Sequence, residues 1–164
     1  MTEEQIIERR FLSAYTLRGI GIDVGCGKDR FEGDNIVGID KYVPADRVLD
    51  FEMINQRFEV KKYDFIIMSH YLRFTRDVIM NLKKAVTMLK EGGFLLIAED
   101  QDRDASAPSY YNYNEMEGLL MLYDDHIHIE QRGFSIKNRY YYIVRKKGEL
   151  NEQPAQQEAH GTVL

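Results

Sequence analysis

The sequence predicts an α/β fold: a mainly parallel sheet flanked by helices and closed by a C-terminal antiparallel hairpin. Three observations carry this. Apolar runs that stop at glycine or an acid alternate with segments of helical periodicity. Two of those runs, YDFIIMS (63–69) and GFLLIAE (93–99), are nearly continuous, the pattern of a strand covered on both faces. Finally, FSIKN (134–138) passes straight into RYYYIVRKK (139–147), leaving no chain for a crossover helix, so these two strands must pair as a hairpin.

Ile7, Phe11, Ala14 and Tyr15 recur at helical spacing and predict an amphipathic helix over 3–17. IGIDVG (20–25) is a buried strand that breaks at glycine, IVGID (36–40) a second strand, and RVLDF (47–51), after Pro44, a short third one. Val78, Ile79, Leu82, Val86 and Leu89 mark a helix with Asp77 at its start and Gly92 just past its end. Asn114 with Glu117 has the spacing of a capping box, opening a helix whose buried stripe is Met116, Leu119, Leu120 and Tyr123. From Gly148 the chain turns polar, so residues 1–147 are expected to form one domain and 148–164 a disordered tail.

The bulk numbers narrow the function. A chain of 164 residues, 44% hydrophobic and 30% charged, suits one domain with a real core. A net charge of −5 argues against a protein that tracks nucleic-acid phosphates. A single cysteine, Cys26, allows no intrachain disulfide, and MTEEQIIERR carries no apolar signal core. No apolar run reaches the roughly 18 residues a membrane span needs, so a cytoplasmic protein is expected.

Ligands of such sheets bind beyond the carboxyl ends of the strands. The stretch from Asp23 to Asp40, DVGCGKDRFEGDNIVGID, supplies two of those ends. It does not suit a dinucleotide. Arg30 stands where a third glycine would, and only eight residues, Lys28 to Asn35, link the two strands. That is room for about two helical turns at most. Asp40 follows Gly27 by 13 residues, against roughly 20 in the dinucleotide fingerprint. A nucleoside without phosphates needs no long helix dipole. It needs close backbone approach, which glycine permits, and a carboxylate for two ribose hydroxyls.

These residues resemble the motifs of class I methyltransferases dependent on S-adenosyl-L-methionine (SAM). Asp23-Val24-Gly25-Cys26-Gly27 is similar to the first motif, IVGID ending at Asp40 to the second, and RVLDFE with Asp50 to the third. KYDFIIMSHYLRF and LKEGGFLLIAED are similar to the fourth and fifth. The resemblance implies a Rossmann-like fold with SAM as cofactor. It implies that Gly25, Cys26 and Gly27 pass close to the methionine part, with Asp23 helping to hold its amino group. It further implies that Asp40, beside Lys41, accepts the ribose hydroxyls. Asp50 would bond the adenine amino group with Phe51 packing nearby, and Ser69 and His70 would line the floor under the sulfonium. The chain departs from the pattern at Asp29, in its short link, and at Leu72-Arg73-Phe74. Short-linked members are associated with glycan modification, which suggests one kind of acceptor.

A hydroxyl or amine acceptor must lose a proton during transfer, and His70 is the first candidate base, followed by Glu99 and Asp100. Lys28 could pair with the cofactor carboxylate. Cys26 reads as loop filler, since no base adjoins it. His126 and His128 alternate on DDHIHIE, but nothing supplies a third metal ligand, so no metal site is assigned. The run SYYNYN (109–114) fits either a cover over the opening or packing at the sheet end. RKK (145–147) reads as a solvated strand end. The expected function is methyl transfer to a small molecule or exposed group. The alternative is a SAM-binding scaffold without turnover, motivated by the three departures.

Overall fold

A computed structural model describes residues 3–28, 30–42, 45–55, 60–102, 106–134 and 138–148. The expected tail from 149 onward and Asp29 lie outside the described residues.

Seven strands form one sheet in the order β3-β2-β1-β4-β5-β7-β6. They are β1 (Gly21–Val24), β2 (Ile36–Asp40), β3 (Arg47–Val48), β4 (Tyr63–Ser69), β5 (Leu89–Asp100), β6 (Ile127–Phe134) and β7 (Arg139–Lys146). β7 runs antiparallel to both its neighbours, β5 and β6, and the other pairings are parallel. The predicted mainly parallel sheet with a terminal hairpin is present. The first hairpin strand is IHIEQRGF, however, not FSIKN: β6 spans Ile127–Phe134. Residues 135–137 lie outside the described set.

Alternation along the strands builds two cores. Ile22, Val24, Ile66, Met68, Leu95 and Ile97 face α2 (Val78–Met88) and α3 (Tyr113–Met121). Phe65, Ile67, Leu96, Ala98 and Ile143 face the other side, where Leu12 of α1 (Glu3–Ser13) and Phe31 cover them. Burying a leucine such as Leu12 contributes about 1.5–3 kcal/mol.

α1 stops at Ser13, shorter than the predicted 3–17. Among its described side chains the buried ones are Glu8 and Leu12, while Ile7 is 41% exposed; Ala14, just past the helix, lies on the surface. The helix is thus rotated so that a carboxylate, not an isoleucine, meets the sheet. α2 begins as predicted, with the Asp77 side chain accepting from the Met80 amide at 2.9 Å, but it ends at Met88. Gly92 lies inside β5 with φ +75, where the register against β4 shifts, so that glycine serves an irregular strand rather than a helix end. Ile79 is exposed, outside the α2 core stripe. The capping box of α3 is Asn112 with Glu115, two residues before the predicted pair.

Candidate functional site

The carboxyl ends of β1, β2, β4 and β5 converge on two adjoining cavities. The larger, about 1000 Å³, is lined by Gly25, Asp40, Lys41, Asp50, Phe51, Ser69, His70 and Tyr71. The smaller, about 390 Å³, shares Gly25, Ser69, His70 and Phe74 with it, and adds Glu8, Asp23, Cys26, Gly27, Arg73, Asp100 and Arg139. Every candidate cofactor residue named from the sequence lines one or both.

The glycine turn is made by backbone that favours no side chain. Gly25 has φ +68 and Gly27 φ +55. A Cβ on Gly25 would lie 2.6 Å from Cδ2 of Tyr71, whose ring closes over the turn. The link that follows holds no helix among its described residues. Phe31 plugs it instead: the ring is buried, the guanidinium of Arg9 lies 4.6 Å from its centroid, and its amide donates to Asp23 Oδ2 at 2.8 Å. Burial pushes the Asp23 carboxyl up to about 6, although the Phe31 amide and Arg9 oppose that. Cys26 is buried against Gly38, and burial pushes its thiol up to about 11, so it is no thiolate at neutral pH.

Asp40 closes β2. Its Oδ2 accepts from the Gly27 amide at 3.0 Å and its Oδ1 from the Tyr42 amide at 2.9 Å. One carboxylate therefore fixes the glycine turn and still has lone pairs left for a ligand. β3 is only two residues, so Asp50 and Phe51 lie beyond it rather than within the predicted strand. Asp50 caps a 3₁₀ turn, Phe51–Met53, with Oδ1 accepting from the Glu52 amide at 3.0 Å. Phe51 is buried and meets Tyr71 edge to face at 6.0 Å. Lys41 is exposed, with Nζ 5.4 Å from the centre of the Tyr42 ring.

The floor is an ionic cluster. Ser69 Oγ donates to Glu8 Oε1 at 2.9 Å. His70 leaves β4 with φ +55, a strained conformation for a residue with a side chain. Its ring lies between two carboxylates, with Nε2 3.4 Å from Glu8 and Nδ1 3.4 Å from Asp100. Arg73, from the 3₁₀ turn Leu72–Phe74, pairs with Glu99 at 3.0 Å and Asp100 at 2.8 Å. Arg139 pairs with Asp100 at 3.0 Å and comes within 3.7 Å of Glu8. Burial alone would lower the His70 pKa, but the flanking acids outweigh it and push it up to about 9. Burial would likewise raise Asp100, yet His70, Arg73 and Arg139 hold it down at about 2. Glu8 is also lowered against burial by His70 and its partners, whereas burial raises Glu99. The acids on both sides of the ring thus favour its protonated form.

Sequence reasoning missed Glu8, Arg73 and Arg139 as members of this floor. The first two were visible only as a polar residue in a helical pattern and as a departure from a motif. His126 and His128 are exposed on or beside the edge strand β6, and no group of metal-binding side chains occurs among the described residues. In SYYNYN, the carbonyls of Tyr111 and Tyr113 accept from the hydroxyls of Tyr140 (2.6 Å) and Tyr142 (2.8 Å), so this run packs at the sheet end. Ser106 and Pro108 just before it line the larger cavity. No helix among the described residues is long and apolar enough to cross a membrane.

The strand order with its reversed β7, and the glycine turn beside an acid-ended β2, define the class I SAM-dependent methyltransferase fold. A family model described as a methyltransferase domain matches residues 5–138, and the chain belongs to that family. Solved structures agree in fold. One is a 1,6-didemethyltoxoflavin-N1-methyltransferase of Burkholderia thailandensis with S-adenosylhomocysteine bound. It gives a TM-score of 0.72 at 13% identity over 89% of this chain and 79% of that one. Another is the N-methyltransferase NodS of Bradyrhizobium japonicum, at 0.68 and 14% over 88% and 97%. Among curated proteins, tenellin synthetase of Beauveria bassiana is 35% identical over 74 residues, 44% of this chain. The highly reducing polyketide synthase otaA of Aspergillus carbonarius is 38% identical over 60 residues, 35% of this chain. The chain spans about 2% of the length of these two relatives.

Proposed function

We propose that this protein transfers the methyl group of SAM to a small molecule or an exposed group on a larger one, in a reducing, cytoplasmic setting. The observation that carries this is the convergence of the Gly25–Gly27 turn, Asp40, Asp50 and His70 on one cavity in a chain of this family. Asp40 accepts the ribose hydroxyls through the lone pairs that Gly27 and Tyr42 leave free. Asp50 receives the adenine amino group, and Phe51 and Tyr71 pack beside the base. Asp23 acts mainly through the loop amide it holds. Ser69 and His70 form the floor near the sulfonium.

SAM brings an activated methyl group, so the protein's work is to hold nucleophile, methyl and sulfur in line. Small-molecule acceptors fit the 1,6-didemethyltoxoflavin bound in the Burkholderia structure, and a glycan hydroxyl is one such acceptor. Calorimetric titration with SAM and S-adenosylhomocysteine, beside Asp40→Ala, tests the site. Micromolar binding that the substitution abolishes supports it; absence of binding to the wild type overturns it.

The alternative, a non-catalytic SAM-binding scaffold, draws on one observation: His70, the first candidate base, lies 3.4 Å from both Glu8 and Asp100, which favour its protonated form. It predicts SAM binding with no S-adenosylhomocysteine formed in the presence of any acceptor extract.

A further inference from the structure

Four residues line both cavities: Gly25, Ser69, His70 and Phe74. With the methionine part of SAM beside Gly25–Gly27 and the ribose at Asp40, the sulfonium falls where the two cavities meet. An acceptor must come to the same four residues. Gly25 has no side chain to offer. Ser69 Oγ donates to Glu8, and the His70 ring is held between Glu8 and Asp100. That leaves Phe74, 51% exposed, with no ring or cation resting on it among the described residues.

The turn that carries Phe74 is pinned from two sides. From β5, Glu99 Oε1 accepts from the Leu72 amide at 2.8 Å. From the segment before α3, the Ser109 amide donates to the Arg73 carbonyl at 3.1 Å and Ser109 Oγ to the Thr75 carbonyl at 2.7 Å. Those last two bonds bring Pro108 to the turn, and Pro108 and Phe74 line the larger cavity together. An exposed aromatic on backbone fixed in this way leaves little ordering cost to binding.

The larger cavity has room for it. A pocket of roughly 300–1,000 Å³ houses a whole drug-sized ligand. This one, about 1000 Å³, receives only the nucleoside half of SAM. Tyr42 and Leu49 are its other exposed large apolar residues, but neither lines the smaller cavity, so neither reaches the junction. Arg76, two residues past Phe74, and Glu52 also line it; they carry opposite charges, and the Arg76 amide donates to Glu52 Oε1 at 3.3 Å. The ledge of Phe74 and Pro108 thus selects for apolar surface rather than for a charge. A sugar ring would bring it several hydroxyls, and burying a hydroxyl without a partner is costly. The hydroxyls of Ser69, Thr75 and Ser109 are already donated, to Glu8 and to the carbonyls of Leu72 and Thr75.

We infer that the acceptor carries a flat aromatic ring, which lies on Phe74 with the atom to be methylated turned towards Ser69 and His70. Phe74 is then a specificity-determining residue, and the departure from the family motif at Leu72-Arg73-Phe74 is a choice of acceptor. This rests on the methyl-transfer function proposed above.

The test uses the full chain saturated with S-adenosylhomocysteine, saturation being verified by calorimetry. Three probes are titrated into it: 2-naphthol, its saturated counterpart decahydro-2-naphthol, and methyl α-glucopyranoside. The first two are alike in size and apolar area, so plain burial does not separate them. An aromatic pair does, by about three- to tenfold. The expected result is 2-naphthol binding tighter by that factor and no measurable binding of the glucoside. Phe74→Leu keeps an apolar side chain and should erase the difference between the two bicyclic alcohols, while Phe74→Trp should keep it. S-adenosylhomocysteine affinity should stay within about twofold in both variants, which reports folding. Equal affinities in the wild type overturn the inference, as does tighter binding of the glucoside, no probe binding at all, or a difference that survives in Phe74→Leu. Loss of S-adenosylhomocysteine binding in Phe74→Leu also overturns it, because the ring then belongs to the cofactor. If S-adenosylhomocysteine fails to bind the wild type, the methyl-transfer function falls first and this inference with it.

Discussion

The amide of Gly27 donates to Asp40 Oδ2 at 3.0 Å, joining the tip of the glycine turn to the end of the neighbouring strand. The carboxylate proposed to hold the ribose is thus the one that fixes the tip of the turn. Replacing Asp40 removes both at once. Asp40→Ala should weaken SAM binding by at least 100-fold, whereas Asp40→Asn, which can still accept from Gly27, should lose about tenfold. Equal losses measured by calorimetry would show that the loop contact contributes nothing.

Gly25 holds a left-handed backbone with Tyr71 against it. Gly25→Ala combines about 1–2 kcal/mol of backbone strain with a 2.6 Å approach to the Tyr71 ring. Thermal melts should show a loss of that size or more, and SAM binding should vanish. Adding Tyr71→Ala should recover part of the stability, since the clash goes and the strain stays.

Asp23 is held at about 6 by burial, above its ordinary value near 4. A raised carboxyl favours the folded state most below its unfolded pKa and loses that advantage as pH climbs through the folded one. Asp23 therefore weighs against folding above pH 6, by up to about 3 kcal/mol. Asp23→Asn should melt higher than wild type at pH 7.5 and lose that advantage at pH 4.5. A difference independent of pH would mean the carboxyl titrates normally.

His70 runs with the same arithmetic for a base. Its folded pKa near 9 exceeds the unfolded value of about 6.5, so its contribution is complete below pH 6.5 and is lost as pH rises through 9. The full shift corresponds to about 3 kcal/mol at most, shared with Glu8 and Asp100 rather than added to theirs. His70→Asn suits the positive φ, because asparagine tolerates that region. Denaturant titrations from pH 6 to 9.5 should show wild type falling and the variant nearly flat.

β1, β2 and β4 could be read from the sequence because each is an apolar run closed by glycine, an acid or serine, and such punctuation is local. Of the residues proposed for the cofactor, Asp23, Gly25, Asp40 and Ser69 sit at or beside those closures. Glu8 was not, since a charged residue in a helical pattern reads as solvent-facing and only the docked helix reveals otherwise. The register of the α3 cap was ambiguous too. Asn112 with Glu115 and Asn114 with Glu117 have the same spacing. Tertiary contacts chose between them: the Tyr113 amide donates to Gln101 Oε1 at 3.0 Å, and its ring stacks on Tyr142 at 5.2 Å. Gly92 misled because a glycine after a helix usually ends it, whereas here the strand begins first and absorbs the glycine as an irregularity.

β7 lies between β5 and β6 although it follows both in the chain. On the ribosome, β5 and β6 therefore emerge before the strand that separates them. The segment FLLIA of β5 must wait with one edge bare, and β6 waits with no neighbour at all. Unpaired edges of that kind recruit other chains. The order of synthesis thus exposes this protein to aggregation until Arg139–Lys146 is free to insert, and nascent chains stalled before residue 139 are the form most in need of a chaperone.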